Sequence, residues 1–374
     1  MTITHFTAQA FRNITRGELS PCSGVNVIFG ENGQGKTNLL EGMWLFTGCR
    51  SFRCTDNREL IQHAPCPPLI EGGCPAGQGG GVQRTTSLAA TFTSNAREQT
   101  ASIDITRRRA LTLNGFAQET PRRMLGVFPA VAFTPATLAL AQGSPAERRR
   151  FLDVALSMLT PAYAVRLSKY LKALAQRNAL LRHPKPDLDL LVTWDETLAH
   201  HAAQLTAARA RYLQQLIPAA QEFYAGISAG REVLGIEIHC TGHDFTRSRQ
   251  SDLRRQMTTV GPHRDDFILT LSRAQRSDGA APQVLRDFGS QGQQRSAALA
   301  LKLAEAAVLR DTTGETPVAL LDDVLSELDA RRQRDLLRYL DGWQVFLTCC
   351  EPSHTLHGSA GRVFCVTNGD ITPQ

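Results

Sequence analysis

The residues Gly30-Glu31-Asn32-Gly33-Gln34-Gly35-Lys36-Thr37 fit G-x-x-x-x-G-K-[S/T] at every fixed position. A loop of this composition binds phosphate because Gly33 and Gly35 let the backbone turn its N–H groups inward. Lys36 then reaches the β- and γ-phosphates, and the Thr37 hydroxyl sits on Mg²⁺. A second group is Val318-Ala319-Leu320-Leu321-Asp322-Asp323, an apolar run that ends in two carboxylates. At a strand edge facing a nucleotide, Asp322 holds Mg²⁺, and Asp323 is placed to polarise an attacking water. The alternative for the two aspartates is a strand end followed by a helix N-cap, and the P-loop favours the metal and water roles. A third group, Ser290-Gln291-Gly292-Gln293-Gln294-Arg295-Ser296, precedes the strong helix AALALKLAEAAVL. Ser290, Gly292 and Gln293 would offer a hydroxyl, backbone N–H groups and a helix dipole to an anion, although on its own the turn serves equally as a plain Ser/Gly helix cap. The Asp322-Asp323 pair follows 32 residues after Ser290 (322 − 290), and Ser326-Glu327-Leu328-Asp329 comes next.

Each motif needs an element to hold it. Val25, Val27, Ile28 and Phe29 form a β-rich run suited to a strand buried on both faces. After the loop, Leu39, Leu40, Met43 and Trp44 recur at helical spacing, so a helix N-terminus faces the phosphates. MTITHFTAQAFRNI looks like a domain-opening strand with Ile3, His5 and Thr7 alternating. Residues 62–84 are dense in Pro and Gly and read as a flexible surface excursion. Strand patterns return in SLAATFTSN, ASIDITRRR and ALTLNGF, with a hairpin turn or tight bend at LNG, and FPAVAFTPATLAL is a buried strand running into a turn. Ser144, Pro145 and Glu147 take the N-cap, N1 and N3 places of a capping box. From there to about residue 225 the pattern is helical, with breaks expected near Pro161, Pro184/Pro186 and Pro218, before strands resume in VLGIEIHC and TTVGPHRDDFILTLS. The expected division is therefore 1–140 and 226–374 as two parts of an α/β domain, with 141–225 as a helical insertion.

Bulk properties set the class. The 374 residues, 42% apolar and 20% charged, describe an ordinary globular protein with room for a proper core. A net charge of +6 hints at a polyanionic partner. No apolar run approaches a membrane span and the N-terminus lacks a signal-peptide pattern, so no membrane partner is expected. Nine cysteines, with Cys349 and Cys350 adjacent, argue against a disulfide framework, and no CxxC pair suggests zinc. A reducing cytoplasm is the expected compartment.

Taken together, FRN at 11–13, GENGQGKTNLLE at 30–41, GSPAERRRFLD at 143–153, GPHRDD at 261–266, SQGQQRS at 290–296 and LLDDVLSELD at 320–329 resemble the ABC-type ATPase heads of the SMC-like group. Within that group the chain looks most like the RecF family of bacterial recombination proteins, over nearly its whole length. GSPAERRRFLD and GPHRDD are the most specific segments, since generic ABC ATPases lack them. The resemblance implies an ABC-type P-loop ATPase head with a mixed sheet and an inserted α-helical lobe. It implies a weak ATPase in which ATP closes a homodimer: each nucleotide is held by the P-loop of one protomer and by Ser290 and Gly292 of the other. It also implies work on DNA (duplex, gapped or single-stranded) in recombinational repair, replication restart and the SOS response, with RecO, RecR and RecA as pathway partners. Arg12 resembles the arginine that approaches the phosphates, although a solvated strand-end arginine fits the residue equally well. One departure is the missing switch histidine: Thr348 and Cys349 stand where it would be, and His354 is matched by nothing but proximity. Slow hydrolysis is the expectation.

Residues 161–182 carry Arg166, Lys169, Lys172, Arg177 and Arg182 with no Asp or Glu, a net charge of +5. Arg166, Lys169 and Lys172 are three apart, near one face of a helix, with Leu167, Leu171, Leu174 and Leu181 opposite. This stripe, with Arg177, is the expected contact to DNA phosphates, to which Arg107–Arg109 and Arg122-Arg123 would add; a solvated helix face is the alternative. Arg148–Arg150 lie in a first helical turn, which is unfavourable for cations, and receive no role. The ATP-binding subunit of a transporter is the competing functional class. It places the signature much nearer the P-loop than the 254 residues (290 − 36) found here. A small-metabolite kinase would need neither the Ser-x-Gly-Gln turn nor a dimer.

Overall fold

The computed structural model describes residues 1–54, 56–62, 85–273, 281–351 and 360–374. Most of the Pro/Gly-rich stretch, and His354, lie outside the described residues. The chain forms two compact units, Met1–Ala132 with Val318–Asp323 and Gly342–Gln374, and Phe133–Pro317 with Val324–Asp341. Along the chain the strands and helices run β1 (Thr2–Phe11), β2 (Ile14–Leu19), β3 (Val25–Phe29), α1 (Lys36–Leu45), β4 (Thr86–Ser94), β5 (Arg97–Ile105), β6 (Arg109–Leu113), β7 (Phe116–Gln118) and β8 (Ala130–Phe133). There follow α2 (Pro135–Leu138), α3 (Pro145–Leu159), α4 (Pro161–Leu181), α5 (Leu188–Ser228), β9 (Glu232–His239), α6 (Phe245–Arg255), β10 (Asp266–Arg273) and β11 (Gln283–Val284). The last elements are α7 (Leu285–Phe288), α8 (Gln291–Thr313), β12 (Val318–Leu321), α9 (Ala330–Tyr339), β13 (Val345–Cys349), β14 (Ala360–Thr367) and β15 (Asp370–Pro373).

The first unit is built on a mixed sheet of order β7-β6-β5-β4-β1-β2-β15-β14-β3-β13-β12-β8. The β4–β1–β2 arm is antiparallel, whereas β14, β3, β13 and β12 run parallel. Buried on both faces, the parallel strands read as continuous apolar runs: Val318–Leu321 and Val345–Leu347 are fully enclosed. The P-loop follows β3, and the two aspartates follow β12, so parallel pairing through β13 brings both strand ends to one edge. Phe6, Phe46, Phe92 and Phe128 interlock beneath α1, with ring centroids 5.0–6.3 Å apart. Burial along β1 differs from the expected alternation. Its pairing with β4 slips between Ile3 and His5, so the inward residues are Ile3, Phe6 and Ala8 rather than Ile3, His5 and Thr7. Asn114 and Gly115, both at positive φ, make the tight β6–β7 hairpin expected at LNG.

The second unit is mainly helical. Ser144 accepts from the Glu147 N–H while Glu147 reaches back to the Ser144 N–H, so α3 starts at the expected capping box. Pro161 begins α4, and Pro184 and Pro186 lie in the α4–α5 connection. Pro218 breaks nothing: α5 runs through it for 41 residues. Burial of Leu191, Leu198, Ala202, Leu205 and Leu216 along α5 supplies the packing that carries the helix past the lost hydrogen bond. The unit also contains a three-stranded sheet, β11-β10-β9, and helices α8 and α9. It therefore extends well past residue 225, and the divisions expected at 140/141 and 225/226 are not those of the compact units. The difference arises because β9 and α8 pack on α5. Among the described residues no helix is long and apolar enough to cross a membrane.

Candidate nucleotide-binding site

In the first unit, Gly30, Gly33 and Gly35 all sit at positive φ. Gly35 is at φ +120°, a conformation that favours glycine, and a Cβ there would also crowd Asn13 Oδ1 at 2.9 Å. Lys36 is buried and folded into its own loop, donating to the Gly30 and Glu31 carbonyls, the latter at 2.8 Å. Asn32 accepts a 3.2 Å contact from Cys350 Sγ, and Gln34 accepts from the Asn368 N–H. The loop is thus braced from both sides.

The Thr37 hydroxyl donates to Asp322 Oδ1 at 2.7 Å, joining the P-loop to the end of β12. Thr348, at the end of β13, donates to the same oxygen at 3.1 Å and accepts from the Asp323 N–H at 2.9 Å. Asp323 is held at φ +52°, a conformation that costs free energy in a residue with a Cβ and that this hydrogen bond helps fix. Burial pushes the Asp322 carboxyl above its usual range, opposed by its hydrogen bonds from Thr37 and Thr348. A buried carboxylate beside a threonine hydroxyl is a hard-oxygen pair that a divalent cation would stabilise, so the residues present fit Mg²⁺. Burial also pushes the Cys349 thiol up to about 11, so a neutral thiol stands next to Thr348.

Arg12 forms a two-pronged pair with the fully buried Glu41, 2.5 and 2.8 Å, and also reaches the Glu59 carbonyl and Cys54 Sγ. Three residues that received no role from the sequence contribute here. Asn13 donates to the Gly33 carbonyl at 2.7 Å and accepts from Asn38 at 2.6 Å, so the FRN segment holds the P-loop through its asparagine. Arg53 donates to Asn38 Oδ1 at 2.6 Å and lies 3.8 Å from Glu41 Oε2, so one carboxylate anchors two arginines. Thr348 is the third: it orients both aspartates. A polar residue closing the strand beside the aspartates was the available signal.

In the second unit, Ser290 caps α8 by accepting from the Gln293 N–H, while Gln293 accepts from the Ser290 N–H at 2.7 Å and donates to Glu232 at 2.6 Å. Gly292 backs onto Arg332, whose guanidinium also donates to Ser296 at 2.8 Å and pairs with Asp329. Ser290, Gln293 and Arg332 open into a groove of about 380 Å³ shared with Arg231, Arg273 and Tyr224. Arg332 also escaped the sequence analysis, since its place beside Gly292 depends on packing between α9 and α8.

The cationic residues divide sharply. Arg166, Lys169 and Lys172 are exposed along α4. Arg177 is not a surface cation: it is fully buried and bonded to Asp195 and Asp252, each at 2.7 Å, and to Thr258. It cannot contact a DNA phosphate, and the expectation is corrected. Leu171, expected to pack, is instead 48% exposed, because the inward arc of α4 is Tyr163, Tyr170, Ala173, Leu174, Arg177 and Leu181. Arg109 turns into its own unit to bond Asn57 and the Cys49 carbonyl. Arg148 pairs with both oxygens of Asp266 at 2.7 Å, and Arg149 donates to the Asp265 carbonyl, so GSPAERRRFLD and GPHRDD interlock.

The P-loop, the two-carboxylate strand and the Ser-x-Gly-Gln helix cap define an ABC-type P-loop ATPase head. The RecF/RecN/SMC N-terminal domain matches residues 2–368. "DNA replication and repair protein RecF" of Syntrophotalea carbinolica is 35% identical over 99% of both chains, and that of an Exiguobacterium species is 34% identical over the whole of both. The recombination mediator protein RecF with ATP, in the RecFOR pathway, superposes with a TM-score of 0.84 at 30% identity, covering 100% of this chain and 97% of that one. An Smc head bound to the C-terminal winged-helix domain of ScpA shares the fold, with a TM-score of 0.57 at 14% identity. The chain belongs to the RecF family of the SMC-like ATPases.

Proposed function

We propose that this protein is an ATP-dependent DNA-binding ATPase of recombinational repair and replication restart. ATP with Mg²⁺ binds the P-loop, with Lys36 on the β- and γ-phosphates and with Thr37 and Asp322 holding the metal. Asp323, oriented through Thr348, polarises the attacking water, and the lack of a histidine there makes hydrolysis slow. Ser290, Gly292 and Gln293 receive the nucleotide of a second copy, so that ATP closes a homodimer and hydrolysis opens it. DNA lies against cations of the helical unit, Arg166, Lys169 and Lys172 among them. Acting in the cytoplasm with RecO and RecR, the dimer would help RecA load at single-strand gaps, as part of the SOS response. The observation that carries the reading is the Thr37–Asp322–Thr348 hydrogen-bonded corner in a chain of the RecF family. A transporter subunit is not favoured.

The test combines anisotropy of labelled duplex, gapped and single-stranded DNA with light scattering, with and without ATP-Mg²⁺. ATP-dependent DNA binding that coincides with a doubled mass supports the proposal. No DNA binding under any nucleotide condition removes its repair half and leaves the ATPase head.

A further inference from the structure

We propose that α6 is a second phosphate-binding surface for DNA, presented by Arg247 and Arg254 on its outer face and extended by Arg255 and Arg264. The inference rests on the reading that the chain binds DNA, and names a surface that the sequence did not single out. It begins with how α6 spends its charges. The helix carries five charged residues, Arg247, Arg249, Asp252, Arg254 and Arg255. Asp252 is fully buried and bonded by Arg177 of α4, by Ser248 and by the Thr259 backbone and hydroxyl. Arg249 faces α5 and pairs with Asp195 at 2.7 Å. The single acid and one arginine are therefore consumed inward, and they clamp α6 to α4 and α5. Arg247, Arg254 and Arg255 are exposed, and among the described residues none forms an ion pair.

Helix energetics does not explain this face. A cation in the last turn is favoured by the helix dipole, which accounts for Arg254 and Arg255. Arg247 is in the first turn, where the dipole opposes it, and Asp244 spends its Oδ1 on the Arg247 backbone N–H rather than on the guanidinium. Arg247 and Arg254 are seven residues apart, which puts them on one side of the helix at about 10 Å. Just beyond the C-terminus, Arg264 is exposed and lies along Met257, its Nη2 3.4 Å from the sulfur and 3.3 Å from the Thr258 carbonyl. Uncompensated guanidinium groups carried on a helix clamped at Asp252 and Arg249 match a polyphosphate backbone, and the absence of aromatic residues among them favours backbone contact over base stacking.

The experiment measures affinity of the full-length protein with ATP-Mg²⁺ for a labelled duplex over a series of salt concentrations. Each phosphate contact contributes roughly 0.9 to the slope of log affinity against log salt. The Arg247→Ala/Arg254→Ala variant should lower that slope by about 2 and weaken binding roughly tenfold or more at about 0.1 M salt. Its melting temperature and ATP affinity should match the parent, and Arg247→Lys/Arg254→Lys should retain the slope. An unchanged slope in the alanine variant, while the parent protein binds, overturns this inference alone and turns the face over to an acidic protein partner. A parent protein that binds no DNA overturns the inference and the DNA half of the proposed function together.

Discussion

The phosphate-binding corner and the helical unit both concentrate polar residues, and they use them in opposite ways. In the corner, a few side chains gather at one strand edge: Lys36 donates to the Gly30 and Glu31 carbonyls of its own loop, and Thr37 donates to Asp322 at 2.7 Å. In the helical unit, arginines sink into the core. Arg177 meets Asp195 and Asp252, Arg209 meets Asp153 and Tyr163, and Arg148 meets Asp266. The first arrangement prepares charge for a ligand. The second satisfies it internally, and each such group becomes part of what holds the unit together. The nature of a residue does not say which use applies; the number of protein partners around it does.

The contrast can be broken most sharply at Arg177. Removing one member of a buried pair leaves an uncompensated charge, at a cost of about 3–5 kcal/mol. Arg177→Ala should therefore lower stability to urea by that amount, whereas Lys169→Ala on the exposed stripe should stay within about 0.5 kcal/mol. Equal effects would abolish the distinction between buried and displayed cations.

A second test uses pH. His263 accepts from the Tyr170 hydroxyl at 2.6 Å and donates to the Thr258 carbonyl, and burial pushes its pKa from 6.5 down to about 4. Above pH 6.5 the imidazole is neutral in both folded and unfolded chains and costs nothing. As pH falls from 6.5 to about 4, the unfolded chain takes up a proton that the folded chain refuses, so stability falls by about 3 kcal/mol in total. His263→Gln should flatten that part of the stability curve in urea titrations; a variant curve parallel to the parent's would refute the assignment.

A smaller effect is expected in the corner. Thr348→Val removes the donor to Asp322 and the acceptor for the Asp323 N–H, in a shape nearly unchanged. Loss of about 1–3 kcal/mol of orientation would lower ATP turnover roughly tenfold to a hundredfold, with melting temperature little altered. Normal turnover would mean that Thr348 does not position the aspartates. The smallest effect belongs to the exposed stripe, where Lys169→Ala should reduce the salt slope of DNA binding by about 1.

Much of the corner was visible in the chain itself, because a P-loop works through backbone geometry that glycine placement dictates locally. The capping box at Ser144 was visible for the same reason: Ser144 and Glu147 are three residues apart. Arg177 was misplaced because helical spacing describes a face, while its burial depends on Asp195 and Asp252, 18 and 75 residues away. Pro218 was read as a break because the local cost of proline is plain and the burial along α5 that offsets it is not. Asn13, Arg53 and Arg332 received no role because their partners are distant in sequence and the residues themselves are ordinary.

The central claim is that one protomer's signature turn completes the other's nucleotide site. It is tested by mixing two variants, Lys36→Ala and Ser290→Arg, and measuring mass by light scattering with ATP-Mg²⁺. Each variant alone is expected to stay monomeric, the first because it lacks tight nucleotide binding and the second because its α8 cap cannot receive a phosphate. The mixture should form heterodimers, because one of the two composite sites is then intact. A monomeric mixture alongside a wild-type protein that doubles its mass without needing Ser290 would contradict the account.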